Sequence, residues 1–581
     1  MLLLLLAGPA WSLEVGEASV SVTDDFKLRY YRNPTTLPDF PDNDHLFDYV
    51  EQVNRLNLQA SYEGTEVGVS VDEVALFAAT YYLDDELQYE HYLVGDGLSS
   101  FSPTAYVNLE KIWLTQRVND AIDVQVGDGY LAFGRGLAVN LVKNTDIDVD
   151  TSVQGAQARL SSGDWDATLA TGLTNQQQVQ QDNPNVALRP NAYNMVTGAG
   201  VQRYGLGPSN VGVHGVAYSF SRETAGLAES VGPRYSGLDA VVGGATLEAF
   251  GVLGLDLYGE VDIYRYMAPE LLTDLEDPDG TETGRAFYGS VAAYPGKVTL
   301  LLEVKDYLNI ERLNIFSIQE GYEVSVGPNL EYERVITEDS SSAVNSNNIR
   351  GARLRADIAA RPGVWTPYIS MAGFRDYDLG SGHFNQTVET ILHPVAGMDL
   401  FGDHVQSLIN FGYRADLRDD VNPESGEADP DFDFGADRLA HADIDFRFPV
   451  GRLHAEAILD FQKFWWGENV IQQHDFTQAS LTLAVGGEGP FSLSLFGDYS
   501  DNPLISTDGN LSFITLTTTD DEGEETEENP YGALEVQYKP TGSTTLRLFY
   551  GAYRAGIRCS GGQCRNLPGF DGARLSFSTA F

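Results

Sequence analysis

Apolar and polar residues alternate along most of this chain. In "RLAHADIDFRF" (438–448), Ala440, Ala442, Ile444, Phe446 and Phe448 share one parity, and His441, Asp443, Asp445 and Arg447 share the other. A period of two puts these sets on opposite faces of a strand. The next segment, 452–462, sets Leu453, Ala455, Ala457, Leu459 and Phe461 against His454, Glu456, Ile458, Asp460 and Gln462, and "PVGR" between them reads as a tight turn. Over 256–264, Leu257, Gly259, Val261 and Ile263 oppose Asp256, Tyr258, Glu260, Asp262 and Tyr264. The same reading holds at 353–358, 404–415, 477–485, 533–539 and 544–553. A soluble sandwich also alternates, with its polar face outward, so alternation by itself does not say which face meets lipid.

The connections decide the class. Short turns fall near Glu63-Gly64, Val118–Ala121, Ser161–Asp164, Leu206–Ser209, Pro295-Gly296, Arg361–Gly363, Pro449–Gly451, Gly486–Pro490 and Pro540–Ser543. Long polar stretches separate them, among them 31–48, 81–103, 173–193, 307–346, 417–435 and 500–530. Short and long alternate, as they do between the periplasmic turns and external loops of outer-membrane barrels. The pattern predicts an all-β protein: one large antiparallel transmembrane β-barrel of about 24 strands over residues 13–581. Charge gathers in the long connections, as in "TTDDEGEETEEN" (518–529), and avoids the apolar parity, where lipid contact would make it costly. Aromatic clusters at Tyr30-Tyr31, Tyr81-Tyr82, Tyr264 and Tyr266, Phe464-Trp465-Trp466, and Tyr550 and Tyr553 are expected at the headgroup level.

Composition sharpens this picture. Asp and Glu number 84 against 36 Lys and Arg, a net charge of −48, which leaves no basic field to attract nucleic acid. Residues 1–12, with Leu2–Leu6 as the apolar run and Ala10-Trp11-Ser12 at the cleavage site, read as a signal peptide without a basic n-region. Cys559 and Cys564 flank "SGGQ", so a local disulfide is expected in an exported chain; a metal site there would need further ligands, and none are obvious.

The closing strand "GARLSFSTAF", ending on Phe581, resembles the C-terminal assembly signature of bacterial outer-membrane proteins. The stretch "GDGYLAFGRGLAVNLVKNTDIDVDTSVQGAQARL" (127–160), with "NRLNLQASYEG" (54–64) and "GPNLEYERV" (327–335), is similar to an uncharacterised family of large outer-membrane barrels common in Bacteroidetes. The resemblance implies an outer-membrane location with both termini periplasmic. It implies as partners the barrel assembly machinery, membrane lipid and lipopolysaccharide. It brings no catalytic residue and no substrate. Nothing resembles the amino-terminal plug of siderophore receptors, since strand pattern begins by about Val20. Nothing in the sequence sets an oligomeric state.

Several residues carry candidate chemistry. "FGRGLAVNLVKNTDIDVD" breaks the strand rhythm after Val126; it reads either as a segment folded into the lumen, with Arg135 and Lys143 toward the pore, or as an external loop with a tight turn. Asp146, Asp148 and Asp150 alternate, as do Asp429, Asp431 and Asp433, and both sets are weak Ca²⁺ candidates that miss the EF-hand pattern; solvated acidic loops are the other reading. On the inferred lumen parity, Arg29, Arg353, Arg355, Arg414, Arg447, Arg547 and Arg574 stand with Asp443 and Asp445 as pore-lining candidates. Barrel closure would bring Arg29, Arg547 and Arg574 onto neighbouring strands, as a basic seam across from an acidic arc or as members of interior salt bridges. No G-x-S-x-G, H-E-x-x-H or Walker A pattern occurs, so no catalytic site and no organic cofactor are predicted. The expected function is a porin-like channel for hydrophilic solutes. The alternatives are a non-conducting structural or adaptor barrel of a surface or secretion complex, and an outer-membrane hydrolase.

Overall fold

The computed structural model describes residues 13–15, 18–33, 47–80, 105–144, 149–176, 194–221, 235–267, 281–308, 310, 324–325, 349–377, 389–402, 405–418, 436–465, 475–487, 489–500, 516–519, 525–528, 531–553, 556–560, 563–567 and 570–580. The alternating segments form strands, and twenty-four of them close into one antiparallel barrel. Each wall strand pairs with its neighbours in chain order. The ring closes where Ala18–Asn33 pairs with Phe570–Ala580, from Thr23↔Ala580 to Tyr31↔Gly572. At one end of the barrel no connection exceeds six residues (359–364); at the other none is shorter than ten (466–475). The first connection, 34–46, is a long one, so Ala18 and Ala580 both lie at the short-turn end.

Parity sorts the two faces. Val107, Leu109, Val213, Ile263, Leu354, Ile369 and Leu548 point outward and are exposed, forming an apolar belt suited to lipid. Their sequence neighbours point into the lumen. Around the short-turn end aromatic residues join the aliphatic ones on the outward face: Tyr62, Trp165, Tyr294, Trp365, Phe401 and Phe491 are all exposed. This is the interfacial girdle of a membrane barrel.

The structure relocates part of the expected aromatic level. Tyr264, Tyr266 and Phe464 are buried on the inner side of the wall, because their parity faces the lumen. Tyr30 and Tyr550 do face outward, both opposite Ala573 at the closing seam. The side chain of Tyr31, and Tyr81, Tyr82 and Trp466 entirely, lie outside the described residues. The outward parity also carries polar exceptions: Asp24, Asn54 and Glu73, on the first three wall strands.

A smaller hairpin stands among the long connections. Gly556–Ser560 pairs with Gln563–Leu567 and places Cys559 directly opposite Cys564. Val324–Ser325, from the connection 309–348, adds a third strand on Cys564. The residues before the first strand, the acidic loop with Asp429, Asp431 and Asp433, and Phe581 lie outside the described residues.

The parity assignment makes a direct prediction. Val213 lies outward in mid-strand and Gln202 inward on the neighbouring strand. Val213→Arg should cost about 2–4 kcal/mol of folding stability in lipid vesicles. Gln202→Arg should cost much less, as read by urea unfolding of the two variants.

Candidate functional site

The wall strand Ile122–Gly129 stops at Gly129, and the chain then turns into the lumen. Residues 131–141 make a miniature hairpin, Leu131↔Leu141 and Ala132↔Asn140. It is tightened by Gly136 N–H donating to the Phe133 carbonyl at 2.8 Å. The sequence explains the behaviour: "LAVNL" is apolar without alternation apart from Asn140, so its aliphatic side chains all need burial. Leu137, Ala138, Val139 and Leu141 have no exposed surface. They pack on inward side chains of the wall, including Val153, Val196, Val216, Val242 and Tyr264. Two wall tyrosines hold the segment by its backbone: Tyr218 donates to the Ala138 carbonyl and Tyr264 to the Leu137 carbonyl. Of the two sequence readings of this stretch, the structure has the inward one.

Arg135 stands at the tip. The residue is exposed, and its guanidinium lies 4.8 Å from the ring centres of both Tyr258 and Tyr288. Its backbone N–H donates to Glu260 Oε2 at 2.7 Å, and its side chain donates to the Tyr288 hydroxyl at 3.2 Å. The polar chain continues along the wall. Tyr288 donates to Glu303 Oε1 at 2.8 Å, and Arg353 Nε donates to Glu303 Oε2 at 2.7 Å. Gly134 permits this approach: its φ is +53°, and a Cβ there would come within 2.4 Å of Glu260 Oε1.

The remaining lumen candidates pair locally. Arg29 meets Glu51 at 3.0 Å, with both side chains almost wholly buried. Arg355 meets Asp357 at 2.8 Å and covers the Tyr368 ring at 3.9 Å. Arg447 bridges Glu456 at 2.6 Å and Asp445 at 3.0 Å. Asp443 lies 3.2 Å from His441 Nδ1, and His441 Nε2 is 2.8 Å from His393 Nε2. Arg414 is buried on the same inner face. Arg29 and Arg574 are direct register partners, while Lys27 and Arg547 both register with Ser576. Arg574 is stacked over Phe549 at 5.1 Å. The four cations are therefore neighbours at the seam, but acids stand beside bases around the wall rather than in a separate arc. Local pairing is the lower-energy arrangement where water is scarce.

Asp150 departs from its expected role. Its carboxylate is buried against Lys111 at 2.7 Å and Lys143 at 3.4 Å, and it accepts from the Tyr130 hydroxyl at 2.8 Å. Two ammonium groups already neutralise it, which leaves no charge for Ca²⁺. Lys143 is thus tied to the wall at the base of the inward segment. Asp146 and Asp148 lie outside the described residues. Lys111 reaches Asp150 because the register shifts beside it: Ser70 pairs with Lys111 but Val71 with Leu109, so Glu110 and Lys111 both turn inward and are buried.

One grouping escaped sequence reasoning. His214, Glu260 and Asp262 meet on the inner wall beneath the tip of the inward segment, their donor atoms all within 4.8 Å of one another. His214 Nε2 lies 2.6 Å from Asp262 Oδ1, and the Phe133 ring stacks on the imidazole at 5.4 Å. His214 and Asp262 sit on strands that are not neighbours; Gly244 lies between them in register, and a Cβ there would meet Asp262 Oδ1 at 2.0 Å and His214 Nε2 at 2.3 Å. The sequence signal that could have located them was the run of acids on one parity at 256–262, but register across three strands is needed to add the histidine.

The anchoring of the inward segment is testable. Leu137→Ala should remove about 2–5 kcal/mol of packing from it. Hydrogen exchange should then show faster exchange over 131–141 with unchanged protection in Val149–Ser162.

Residues 505–581 match a family of unknown function (DUF6029). That is well under half of the chain, and the stretches 54–64, 127–160 and 327–335 that carry the sequence resemblance lie outside it. No curated protein matches. Among solved structures, the chain is similar to the siderophore receptor PirA from Pseudomonas aeruginosa, with 9% identity, a TM-score of 0.43, and 97% of this chain and 80% of that one covered. It is similar to the copper transporter OprC, with 10% identity, a TM-score of 0.45 and coverage of 98% and 81%. It is also similar to Pseudomonas aeruginosa OpdK with vanillate, with 10% identity, a TM-score of 0.36 and coverage of 74% and 98%. At such low identity and TM-score, nothing about substrate or activity follows.

Proposed function

We propose that this barrel is an outer-membrane channel that passes hydrophilic solutes along a polar, charge-paired inner wall, with the segment 130–144 as a constriction. The observation that supports this best is Arg135: a cation held at the tip of an inward segment, over two tyrosine rings, and still exposed. A ring of about 24 strands spaced about 4.8 Å apart and tilted about 40° has a backbone diameter of roughly 48 Å. A fifteen-residue segment lying along one part of such a wall narrows the passage without filling it. Fixed charge at the narrowing would bias permeation by sign. In this reading the long connections face outward from the cell and the chain ends face the periplasm.

The same reading places lipopolysaccharide against the outer wall. Near the long-connection end, Arg265, Arg285, Arg350 and Arg375 all take the outward parity, and Arg350 is the direct register partner of Arg375. Asp306 accepts from Arg285 at 3.4 Å and from the Tyr377 hydroxyl at 2.7 Å, which leaves the patch net positive. Asp306 is also the direct register partner of Arg350, and the phosphates of lipid A suit the positive charge that the outward face of these strands still carries.

Two measurements test these proposals. In planar bilayers the purified barrel should conduct, and Arg135→Gln should shift its selectivity toward cations; a barrel silent under all solutes would favour the structural or adaptor reading instead. Arg350→Gln/Arg375→Gln should lower the lipopolysaccharide retained through purification, scored by mass spectrometry of the bound lipid, while an unchanged yield would remove the patch from consideration.

A further inference from the structure

We infer that His214, Glu260 and Asp262 form a binding site for a divalent transition-metal cation, of the Zn²⁺ class, beneath the tip of the inward segment. The donor set is one imidazole nitrogen and two carboxylates, gathered within 4.8 Å. Mixed nitrogen and oxygen donors suit first-row divalent cations better than Ca²⁺ or Mg²⁺, which favour oxygen alone. Ligands bound at about 2.0–2.2 Å to one ion stand roughly 3–3.5 Å apart, so a small inward movement would complete the site.

A second observation points the same way. Glu260 is 1% exposed and Asp262 fully buried. Each carries a buried oxygen without a hydrogen-bond partner, Glu260 Oε1 and Asp262 Oδ2. Their other oxygens are used. Glu260 Oε2 accepts from the Arg135 backbone and the Tyr258 hydroxyl, and Asp262 Oδ1 faces His214. Two buried carboxylates without a full complement of donors carry a large desolvation cost unless a cation joins them. Arg135 does not serve, because its guanidinium is held over Tyr258 and Tyr288 and donates to the Tyr288 hydroxyl.

The surroundings are built for a compact group. Gly244 leaves the gap across which His214 and Asp262 meet, and Gly134 lets the inward segment close over Glu260. Phe133 covers the imidazole face. A bound cation would therefore link three wall positions directly under the constriction and would place positive charge below Arg135. The site stands on its own geometry and does not depend on whether the barrel conducts.

The test is metal binding by the intact barrel. Detergent-purified protein, stripped with chelator and dialysed against Zn²⁺, should retain about one equivalent. Co²⁺ in place of Zn²⁺ should give visible d–d absorption from a low-symmetry nitrogen and oxygen site. Asp262→Asn and Glu260→Gln should each weaken Zn²⁺ binding at least about tenfold. Asp123→Asn, in an exposed pair with Arg117 on another wall strand, should leave it unchanged. Heat-modifiable migration in gels confirms that each variant is a folded barrel. If the variants do not fold, the wild-type measurement decides: less than a stoichiometric amount of Zn²⁺ retained, with no Co²⁺ spectrum, overturns the site and leaves the grouping as a hydrogen-bonded strut. Equal binding by wild type and Asp262→Asn overturns it too.

Discussion

Closure of the sheet is the constraint on which everything else rests. In a hydrocarbon surrounding an unpaired backbone amide costs several kcal/mol, so a spanning sheet can leave no edge. Here the edge disappears where Ala18–Asn33 meets Phe570–Ala580 over nine register pairs. That pairing joins the two ends of the described barrel. It also fixes parity at the seam, because a slip of one residue would turn that strand's lipid-facing side chains inward and its lumen-facing ones outward.

Once parity is fixed, the inner wall faces a problem of its own. Charged residues stand there beside a large apolar segment, and both must be satisfied. The structure resolves this by separating them along the wall. Tyrosines at 218, 264 and 288 serve both needs: their rings face the apolar hairpin or the Arg135 guanidinium, and their hydroxyls reach carbonyl or carboxylate oxygens. Elsewhere the inner wall relies on ion pairs such as Arg29–Glu51 and Arg55–Asp72, whose members are almost fully buried. Breaking one partner of such a pair costs more than the pair contributes, so these positions tolerate little change.

The architecture was legible in the sequence because strand period and turn length are local properties. Residues 438–462 state two strands and a turn without help from the rest of the chain. The inward segment was half legible: loss of alternation at 137–141 and glycines at 134 and 136 marked a departure from the wall but not its direction. The His214 grouping was not legible at all. Its members come from two strands separated by a third, and only the register through Gly244 shows that they meet. Asp150 misled for a related reason, since Lys111, the nearer of the two lysines that pair with it, arrives from a strand whose register shifts at Glu110. The interior position of Tyr264 and Tyr266 could have been read from parity, which places them with Asp262 rather than with Ile263.

The apolar cluster under the inward segment runs from Leu131 to Ile391. From Gln406 to Ala580, the described residues contribute only two small clusters, around Phe549 and Phe464. Among the described residues, the wall strands around the inward segment are thus backed by a second layer, and those from Gln406 to Ala580 are not. A single sheet shears and bends more easily than a sheet with packing on its inner surface. Flattening of the ring should therefore meet most resistance where the inward segment backs the wall.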